Sequence, residues 1–419
     1  MDQMTATSVP GTHEAKLARL AEVAVRVGLN LQAGQELVMT ASVEALPLVR
    51  LITDAAYRAG ASLVTTLFSD DQQTVSRFRF APDASFDCAP GWLFEAMAEA
   101  FRGGAARLAI VGEDPNLLHG QDPEKVVRAN RARSKAYRPA LELITASAVN
   151  WSLVPFASPA WARAVFPELP EPQAVDRLWD AIFATTRVNE ADPIAAWAEH
   201  NAALMRRRQF LNEKHYAALR FRGPGTDLTV GLADGHAWMG GQSTARNGVT
   251  GNPNIPTEEV FTTPHAARTE GYVAATKPLS YQGTLIRDIR VRFEGGLIVE
   301  AHASTGEGVL RQMIGTDEGA RRLGEVALVP ASSPISRSGL LFLNTLFDEN
   351  AASHIALGQA YKKCFVDSET MSDAEFEARG GNRSLIHVDW MIGSAQMDVD
   401  GLDRQGRAEP VMRAGEWVS

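Results

Sequence analysis

Residues 36–67 read ELVMTASVEALPLVRLITDAAYRAGASLVTTL, and this stretch decides the fold class of the first half of the chain. Apolar and β-branched residues predict strands over 36–40 and 62–67. Between them, apolar residues recur at helical spacing over 44–59 and end at Gly60, which predicts a helix. A strand, a helix and a second strand in succession are typical of a parallel sheet covered by helices.

The same alternation continues on both sides of this unit. A helix is predicted over residues 11–27, where Gly28 supplies a left-handed cap. Helices are also predicted over 92–101 and 123–137, and strands over 107–111 and 148–154. The N-terminal part is therefore expected to be an α/β domain with a mostly parallel sheet.

The periodicity changes near residue 200. Helices predicted over 172–187 and 193–209 lead into segments with strictly alternating apolar residues, at 228–232 and 289–293. An Asp-Gly pair follows the first segment and a Gly-Gly pair follows the second, which predicts hairpins. We expect two domains, an α/β domain over residues 1–200 and a β-rich α+β catalytic domain over residues 201–419.

The composition excludes several classes of partner. A net charge of −9 repels a phosphate backbone, so no nucleic acid is expected. No uncharged stretch is long enough to cross a bilayer, and the first residues show no targeting signal, so no membrane is expected. Cys88 and Cys364 lie far apart, which argues against a disulfide framework and for a reducing, cytoplasmic compartment.

No compact catalytic motif is present, so any site must combine distant segments. The clearest segment is SLIHVDWMIG, residues 384–393, in which His387 and Asp389 lie on one face of a predicted strand. A buried carboxylate requires a partner, which a divalent metal would provide. The alternatives are a hydrogen-bonded His–Asp pair and a solvent-facing edge.

A second segment is NTLFDENAASHIALGQAY, residues 344–361. An apolar strand is predicted over residues 340–346, shortly before Asp348-Glu349. His354 and Tyr361 are seven residues apart and share a face if the segment is helical. Asp348-Glu349 is typical of a turn as well as of a site.

Two further segments carry acids among apolar residues. In IPTEEVFTTP, residues 255–264, strand alternation favours Glu259 over Glu258 as the residue on the side of Phe261. In LGEVALVP, residues 323–330, a helix is expected to end at Gly324, with Glu325 opening the next strand. An ordinary boundary charge is the alternative for Glu325.

The candidate residues offer nitrogen and oxygen ligands without sulfur, a set that suits Zn, Co or Mn. Several carboxylates offset the charge of two dications better than one, so the hypothesis is a two-metal hydrolase. The set comprises Glu259, Glu325, Glu349, His354, Tyr361, His387 and Asp389.

Five ordered segments resemble the family of aminopeptidase T, aminopeptidase S and aminopeptidase II. They are PTEEVFT at 256–262, ATKPLSYQG at 275–283, the GE of LGEVAL, DENAASHIALGQAY at 348–361 and HVDWMIG at 387–393. The resemblance implies a dinuclear metallo-aminopeptidase that acts on peptides with a free N-terminus. It also implies a homodimer with an enclosed cavity, in which residues 1–200 contribute to the dimer contact and the cavity wall.

The resemblance assigns the two metal ions, most often Zn or Co and alternatively Mn or Mg, to a set of ligands. These are Glu259, Glu325, His354, Tyr361, His387 and Asp389. Glu325 is the expected bridge, Glu349 or Glu258 the proton-handling group, and Tyr361 a ligand or a stabiliser of the tetrahedral intermediate.

Two other functions are compatible with these residues. One is a two-metal hydrolase of another amide or an ester, since such a site tolerates many substrates. The other is a non-catalytic binding protein on the same fold, for which the loss of a ligand is expected. No ligand position is lost in this sequence.

Overall fold

The structure, a computed structural model, describes residues 11–281 and 284–418. The first ten residues lie outside the described residues, and they include part of the stretch for which no targeting signal was expected. The last two residues of the segment ATKPLSYQG also lie outside them. The chain divides into two compact units. Unit 1 is Met1–Asn201 with Gln242–Pro256, and unit 2 is Ala202–Gly241 with Thr257–Ser419. The single boundary expected near residue 200 thus omits the return of residues 242–256 to unit 1.

Unit 1 alternates helices and strands. Its helices are α1 (His13–Val23), α2 (Leu46–Arg58), α3 (Asp71–Phe80), α4 (Gly91–Arg102), α5 (Pro123–Thr145), α6 (Pro159–Val165) and α7 (Glu171–Thr185). Its strands are β1 (Glu36–Ser42), β2 (Leu63–Ser69), β3 (Ala106–Val111) and β4 (Trp151–Pro155), with β7 (Ser243–Thr244) and β8 (Thr250–Gly251) in the returning segment. Helix α8 (Pro193–Lys214) continues from unit 1 into unit 2.

The main sheet of unit 1 has the order β2-β1-β3-β4, and every pairing in it is parallel. Helix α2 buries Leu48, Val49 and Ile52 on one stripe, as the apolar spacing of residues 44–59 indicated. The predicted α/β domain with a parallel sheet is therefore confirmed.

The end of the first helix differs from the prediction. Helix α1 ends at Val23, a π-helical turn continues over Ala24–Leu29, and Asn30 takes the left-handed conformation, with φ of 47°. Gly28 is not the cap. A Cβ on Gly28 would lie 2.7 Å from Oγ of Ser152, so a glycine permits this turn to approach β4.

Unit 2 is rich in strands. They are β5 (Ala218–Gly223), β6 (Thr226–Leu232), β9 (Val260–Thr262), β10 (Pro264–Ala274), β11 (Leu279–Tyr281), β12 (Thr284–Ile286), β13 (Arg290–Glu294), β14 (Leu297–His302), β15 (Leu323–Leu328), β16 (His354–Gly358), β17 (His387–Met391), β18 (Asp398–Leu402), β19 (Ala408–Arg413) and β20 (Glu416–Trp417). Its further helices are α9 (Glu307–Ile314), α10 (Pro334–Ser338), α11 (Thr345–Asp348) and α12 (Asp373–Ala378).

The larger sheet of unit 2 is antiparallel, in the order β14-β13-β10-β6-β5-β18-β19-β20. The predicted hairpin at Gly295-Gly296 joins β13 to β14. The prediction of a hairpin at Asp234-Gly235 is wrong. Strand β6 pairs with β5, which precedes it in the chain, and with β10, which begins only at Pro264. The β-rich α+β domain itself is confirmed.

A smaller antiparallel sheet has the order β17-β16-β15-β9. One of its faces packs into the apolar core of unit 2 through Val326, Ile355, Leu357, Val388 and Trp390. The same core contains residues of the larger sheet, so both of these sheets border it. The opposite face of the smaller sheet is free to carry polar groups.

Within the described residues, none of the helices combines the length and the apolar character that crossing a lipid bilayer requires.

Candidate metal centre

The second face of the smaller sheet collects the predicted site residues. Glu325 on β15 pairs with Ala356 on β16, which pairs with Asp389 on β17. Residues opposite one another in a sheet share a face, and residues two apart on a strand do so too. Glu325, His354, His387 and Asp389 therefore all project from this one face.

Residues 354–358 form a strand, and the helix considered for residues 344–361 is wrong. Strand β16 lies between β15 and β17 and hydrogen bonds with both, and this pairing overrides the helical preference of an alanine-rich segment. The expected strand over 340–346 is also absent, since α11 begins at Thr345. Glu325 lies inside β15, not at its start, because the strand begins at Leu323.

A glycine allows the strand with His354 to lie against the strand with His387. Gly358 pairs with His387, and its φ is 103°. A Cβ at this position would lie 2.1 Å from the carbonyl oxygen of Ile386. A larger residue would separate β16 from β17 at the edge of the site.

His354 is the centre of the cluster and is fully buried. Its Nε2 lies 3.1 Å from Oε2 of Glu259 and 3.4 Å from Oε1 of Glu325. Its Nδ1 lies 3.1 Å from the carbonyl oxygen of Ala352. A proton on Nδ1 would satisfy that carbonyl and leave Nε2 as the atom that could ligate a cation.

His387 repeats this arrangement on the neighbouring strand. Its Nδ1 lies 2.7 Å from the carbonyl oxygen of Gln359. Its Nε2 lies 3.5 Å from Oδ1 of Asp389 and 3.9 Å from Oε2 of Glu325. The predicted shared face of His387 and Asp389 thus brings their polar atoms together, and Glu325 presents one oxygen to each histidine.

The pKa values of the cluster are set by two opposing effects, burial of the side chains and the charges of their close neighbours. Burial raises the pKa of Glu325, assisted by the negative charges of Asp389 and Glu259. Burial would lower the pKa of His387, but the adjacent Asp389 carboxylate raises it to about 9. His354 behaves likewise, because Glu259 and Glu325 outweigh burial and hold its pKa well above the usual value. In both histidines, the nearby carboxylates therefore outweigh burial and favour the protonated ring.

Glu349 and Tyr361 lie beside this cluster. Burial raises the pKa of Glu349 well above its usual value, and the charges of Glu259 and Asp389 add to the effect. The ring of Tyr361 lies 4.7 Å from that of His387, centroid to centroid, and burial raises the pKa of its phenol. Asp348 serves the turn, since its carboxylate accepts hydrogen bonds from the backbone N–H groups of Phe342 and Asn344.

Glu258 and Glu259 precede the short edge strand β9. The N–H of Glu258 donates a hydrogen bond of 2.7 Å to Oδ1 of Asn350. Asn350 was not among the predicted site residues, although it completes the DEN triplet. Its burial and its contact with a distant segment are not visible in the sequence.

The ligand chemistry of this cluster fits a divalent cation. One ligand atom each from Glu259, Glu325 and His354 lies within 4.8 Å of the others. Within the part of the chain that the structure describes, Oε2 of Glu259, Nε2 of His354 and Oδ1 of Asp389 are buried and make no hydrogen bond of good geometry, although the first two atoms lie 3.1 Å apart. Buried polar atoms are normally satisfied, and nitrogen and oxygen donors around one point are what Zn and similar ions require.

The chain matches the model of the thermophilic metalloprotease (M29) family over residues 13–417. It belongs to this family. It is 57% identical over 402 residues to Aminopeptidase T of Thermus thermophilus, which covers 96% of this chain and 98% of the relative. It is also 46% identical to Aminopeptidase 2 of Geobacillus stearothermophilus, over 97% of this chain and 98% of the relative.

The solved structure of wild-type AmpT from Thermus thermophilus superposes with a TM-score of 0.91, at 56% identity, over 96% of this chain and 99% of that one. The predicted resemblance and enzyme class, a metallo-aminopeptidase and hence a hydrolase, are therefore confirmed. Membership of the M29 metalloproteases implies divalent metal ions, for which the Glu259, Glu325 and His354 cluster is the candidate site.

Proposed function

We propose that this M29 metalloprotease releases N-terminal amino acids from peptides and uses two divalent ions held on the polar face of the smaller sheet. The observation that supports this proposal is the convergence of buried carboxylate and imidazole atoms, some of them without hydrogen-bond partners, on one point of that face. An ordinary protein core does not leave such atoms unsatisfied.

We propose that the ligands are Glu259, Glu325, His354, Tyr361, His387 and Asp389. The two oxygens of Glu325 support a bridging role, because Oε1 faces His354 and Oε2 faces His387. Three carboxylates and a fourth from Glu349 match the charge of two dications better than that of one. Zn or Co is the proposed metal, with Mn or Mg as the alternatives.

When bound, divalent ions would supply Lewis acidity at the scissile carbonyl and lower the pKa of a water molecule. The residues of the chain supply proton transfer and orientation. Glu349 is the proposed general base, because its surroundings raise the pKa of its carboxyl toward the range that proton transfer requires. The phenol of Tyr361, beside His387, is placed to ligate or to donate a hydrogen bond to the developing oxyanion.

Glu258 is the alternative proton-handling residue. It is buried, and its N–H is fixed by Asn350. Its negative charge acts on the guanidinium of Arg207, whose pKa burial lowers. Because Glu258 lies near a cation while Glu349 lies among the carboxylates of the cluster, Glu349 is the better candidate for the base.

The experiment that tests this function begins with removal of metal by a chelator. Zn, Co, Mn or Mg is then added back, and hydrolysis of aminoacyl anilides is measured. We expect loss of activity and its recovery with Zn or Co. Full activity in the stripped protein would contradict the metal mechanism.

Paired peptides with a free and an acetylated N-terminus test the substrate class. We expect cleavage of the free peptide alone. Equal cleavage of both would favour a hydrolase of other amides or esters over an aminopeptidase. We also propose that the protein forms a homodimer, in which residues 1–200 contribute to the interface and to the cavity wall. The proposed location is the cytoplasm. Sedimentation of the purified chain tests the dimer.

A further inference from the structure

Asn350 connects two parts of the candidate metal centre that are far apart in the sequence. We propose that Asn350 is a positioning residue, which fixes the carboxylate of Glu349 relative to the backbone that presents Glu259. The proposal rests on the proposed function in one respect, the role of Glu349 as the base.

The contacts of Asn350 use its whole amide group. Its Oδ1 accepts the 2.7 Å hydrogen bond from the N–H of Glu258, the residue before Glu259. Its Nδ2 donates to the carbonyl oxygen of Leu346 at 3.1 Å and to Oε1 of Glu349 at 3.4 Å. The side chain is fully buried, so water does not compete for these bonds.

The hydrogen bonds of Asn350 to Glu258 and to Glu349 have different effects. On one side, the N–H of Glu258 is the last polar anchor before the proposed ligand Glu259, which itself lies in irregular backbone ahead of β9. On the other side, Glu349 opens a short 3-10 turn, Glu349–Ala351, whose backbone alone does not restrict a long side chain. A single rigid amide between them removes freedom from both.

No other residue type of this size supplies the same contacts. Aspartate would keep the acceptor for the Glu258 N–H, but would place an oxygen against the carbonyl of Leu346 and the carboxylate of Glu349. Leucine would fill the volume and leave the Glu258 N–H and the Leu346 carbonyl unsatisfied. These two substitutions therefore separate the two duties of Asn350.

The experiment compares Asn350→Asp and Asn350→Leu with the same substitutions at Asn212. Asn212 is a matched control, because its amide accepts from the N–H of Trp238 at 2.8 Å and donates to the carbonyl of Trp238 at 3.2 Å. Among the described residues, these side-chain hydrogen bonds join Asn212 to Trp238, which is not a proposed site residue. Tm, kcat, KM and the Kd for zinc, the last from competition with a chelating dye, are measured for all four variants.

We expect falls in Tm at both positions, of about 2–10 °C, with the smaller fall at Asn212, because its hydrogen bonds are only partly buried. At Asn350, both variants should lose about 30- to 300-fold in kcat with KM within threefold of wild type, as expected when a catalytic group is displaced. Asn350→Leu should also bind zinc about 10-fold more weakly. Asn350→Asp should keep the zinc affinity of wild type, because the Glu258 N–H retains its acceptor.

A double-mutant cycle with Glu349→Gln provides a readout that general destabilisation would not move. If Asn350 acts through Glu349, Asn350→Leu should reduce kcat by less than about threefold when Glu349 is already glutamine. The control Asn212→Leu should change kcat equally little in both backgrounds.

Values of kcat and zinc Kd within threefold of wild type in both Asn350 variants would overturn the proposal, and so would additivity in the cycle. If Asn350→Leu does not fold, Asn350→Asp decides, since an unchanged kcat there overturns it. If the wild-type chain releases no amino acids, the proposed function fails separately. The zinc affinities then judge Asn350: a loss in Asn350→Leu supports its role, and no loss refutes it.

Discussion

Two buried polar clusters in this chain have opposite characters. In unit 1, Asn201 and Asn252 exchange two side-chain hydrogen bonds of 2.8 and 2.9 Å. Ser152 donates to the carbonyl oxygen of Asn252, and the N–H of Asn252 donates to the π-helical turn at Gly28. In unit 2, the candidate metal centre holds acids and histidines in close contact, and some of their buried atoms make no hydrogen bond.

The difference shows how buried polar residues are used. The asparagines are neutral and satisfied, so they fasten residues 242–256 to unit 1 without need of a ligand. The acids and histidines of unit 2 are ionisable and include buried atoms without hydrogen bonds, so we expect a bound cation to stabilise this cluster. The asparagine cluster is therefore structural, whereas the cluster of acids and histidines is suited to bind a cation.

The largest effect is expected for Glu325→Gln. Loss of the proposed bridging carboxylate should reduce kcat/KM by about 10³-fold or more. The Tm of the metal-free protein should nevertheless hold or rise, because glutamine removes a carboxylate that burial and its neighbours disfavour. Hydrolysis of an aminoacyl anilide and thermal unfolding in chelator check both statements. Activity within tenfold of wild type would remove Glu325 from the metal site.

The opposite pattern is expected for Asn201→Ala in unit 1. The substitution leaves Oδ1 and Nδ2 of Asn252 without their partner, at a cost of about 2–4 kcal/mol in the free energy of unfolding. The zinc Kd and kcat should stay within threefold of wild type. Denaturant unfolding and a zinc titration provide the measurements. A stable variant would show that the asparagine pair does not fasten the returning segment.

Removal of zinc should separate the two variants. Zinc at 100 times its Kd stabilises the folded state by about 2.7 kcal/mol, so the wild-type Tm should fall in chelator. Asn201→Ala should retain this difference in full, and Glu325→Gln should lose most of it. Thermal unfolding with and without zinc tests this. An equal zinc effect in both variants would contradict the division into a structural and a ligand-dependent cluster.

The smallest effect concerns the pH dependence of the metal-free protein. The pKa of His387 is raised to about 9 in the folded state, so its stabilising contribution is complete below about pH 6.5 and is lost as pH rises through 9. After allowance for solvent screening, we expect a fall of about 1–2 kcal/mol between pH 6.5 and 9.5.

Urea unfolding in chelator measures this change, and His387→Gln should flatten it. The neutral asparagines of unit 1 do not titrate, so Asn201→Ala should keep the wild-type slope. A metal-free protein that gains stability over the same pH range would show that the His387–Asp389 contact is not formed as described.

Local rules predicted what lies within one element. The strand, helix, strand order of residues 36–67 follows from side-chain spacing alone, and so does the shared face of His387 and Asp389. Both depend on backbone geometry over a few residues. The conformation of the segment with His354 was not predictable from local rules, because its alanines favour a helix. The segment forms a strand because it pairs with β15 and β17.

The sequence by itself determined most elements of unit 1, the parallel character of its sheet and the candidate site side chains, because periodicity and residue chemistry are local properties. Only the tertiary structure decided that Glu259, Glu325 and His354 meet at one point, since that depends on the register of three strands from distant segments. It also decided the contacts of Asn350 and Asn252. Whether a buried amide joins a site or fastens a segment depends on partners that spacing along the chain does not specify.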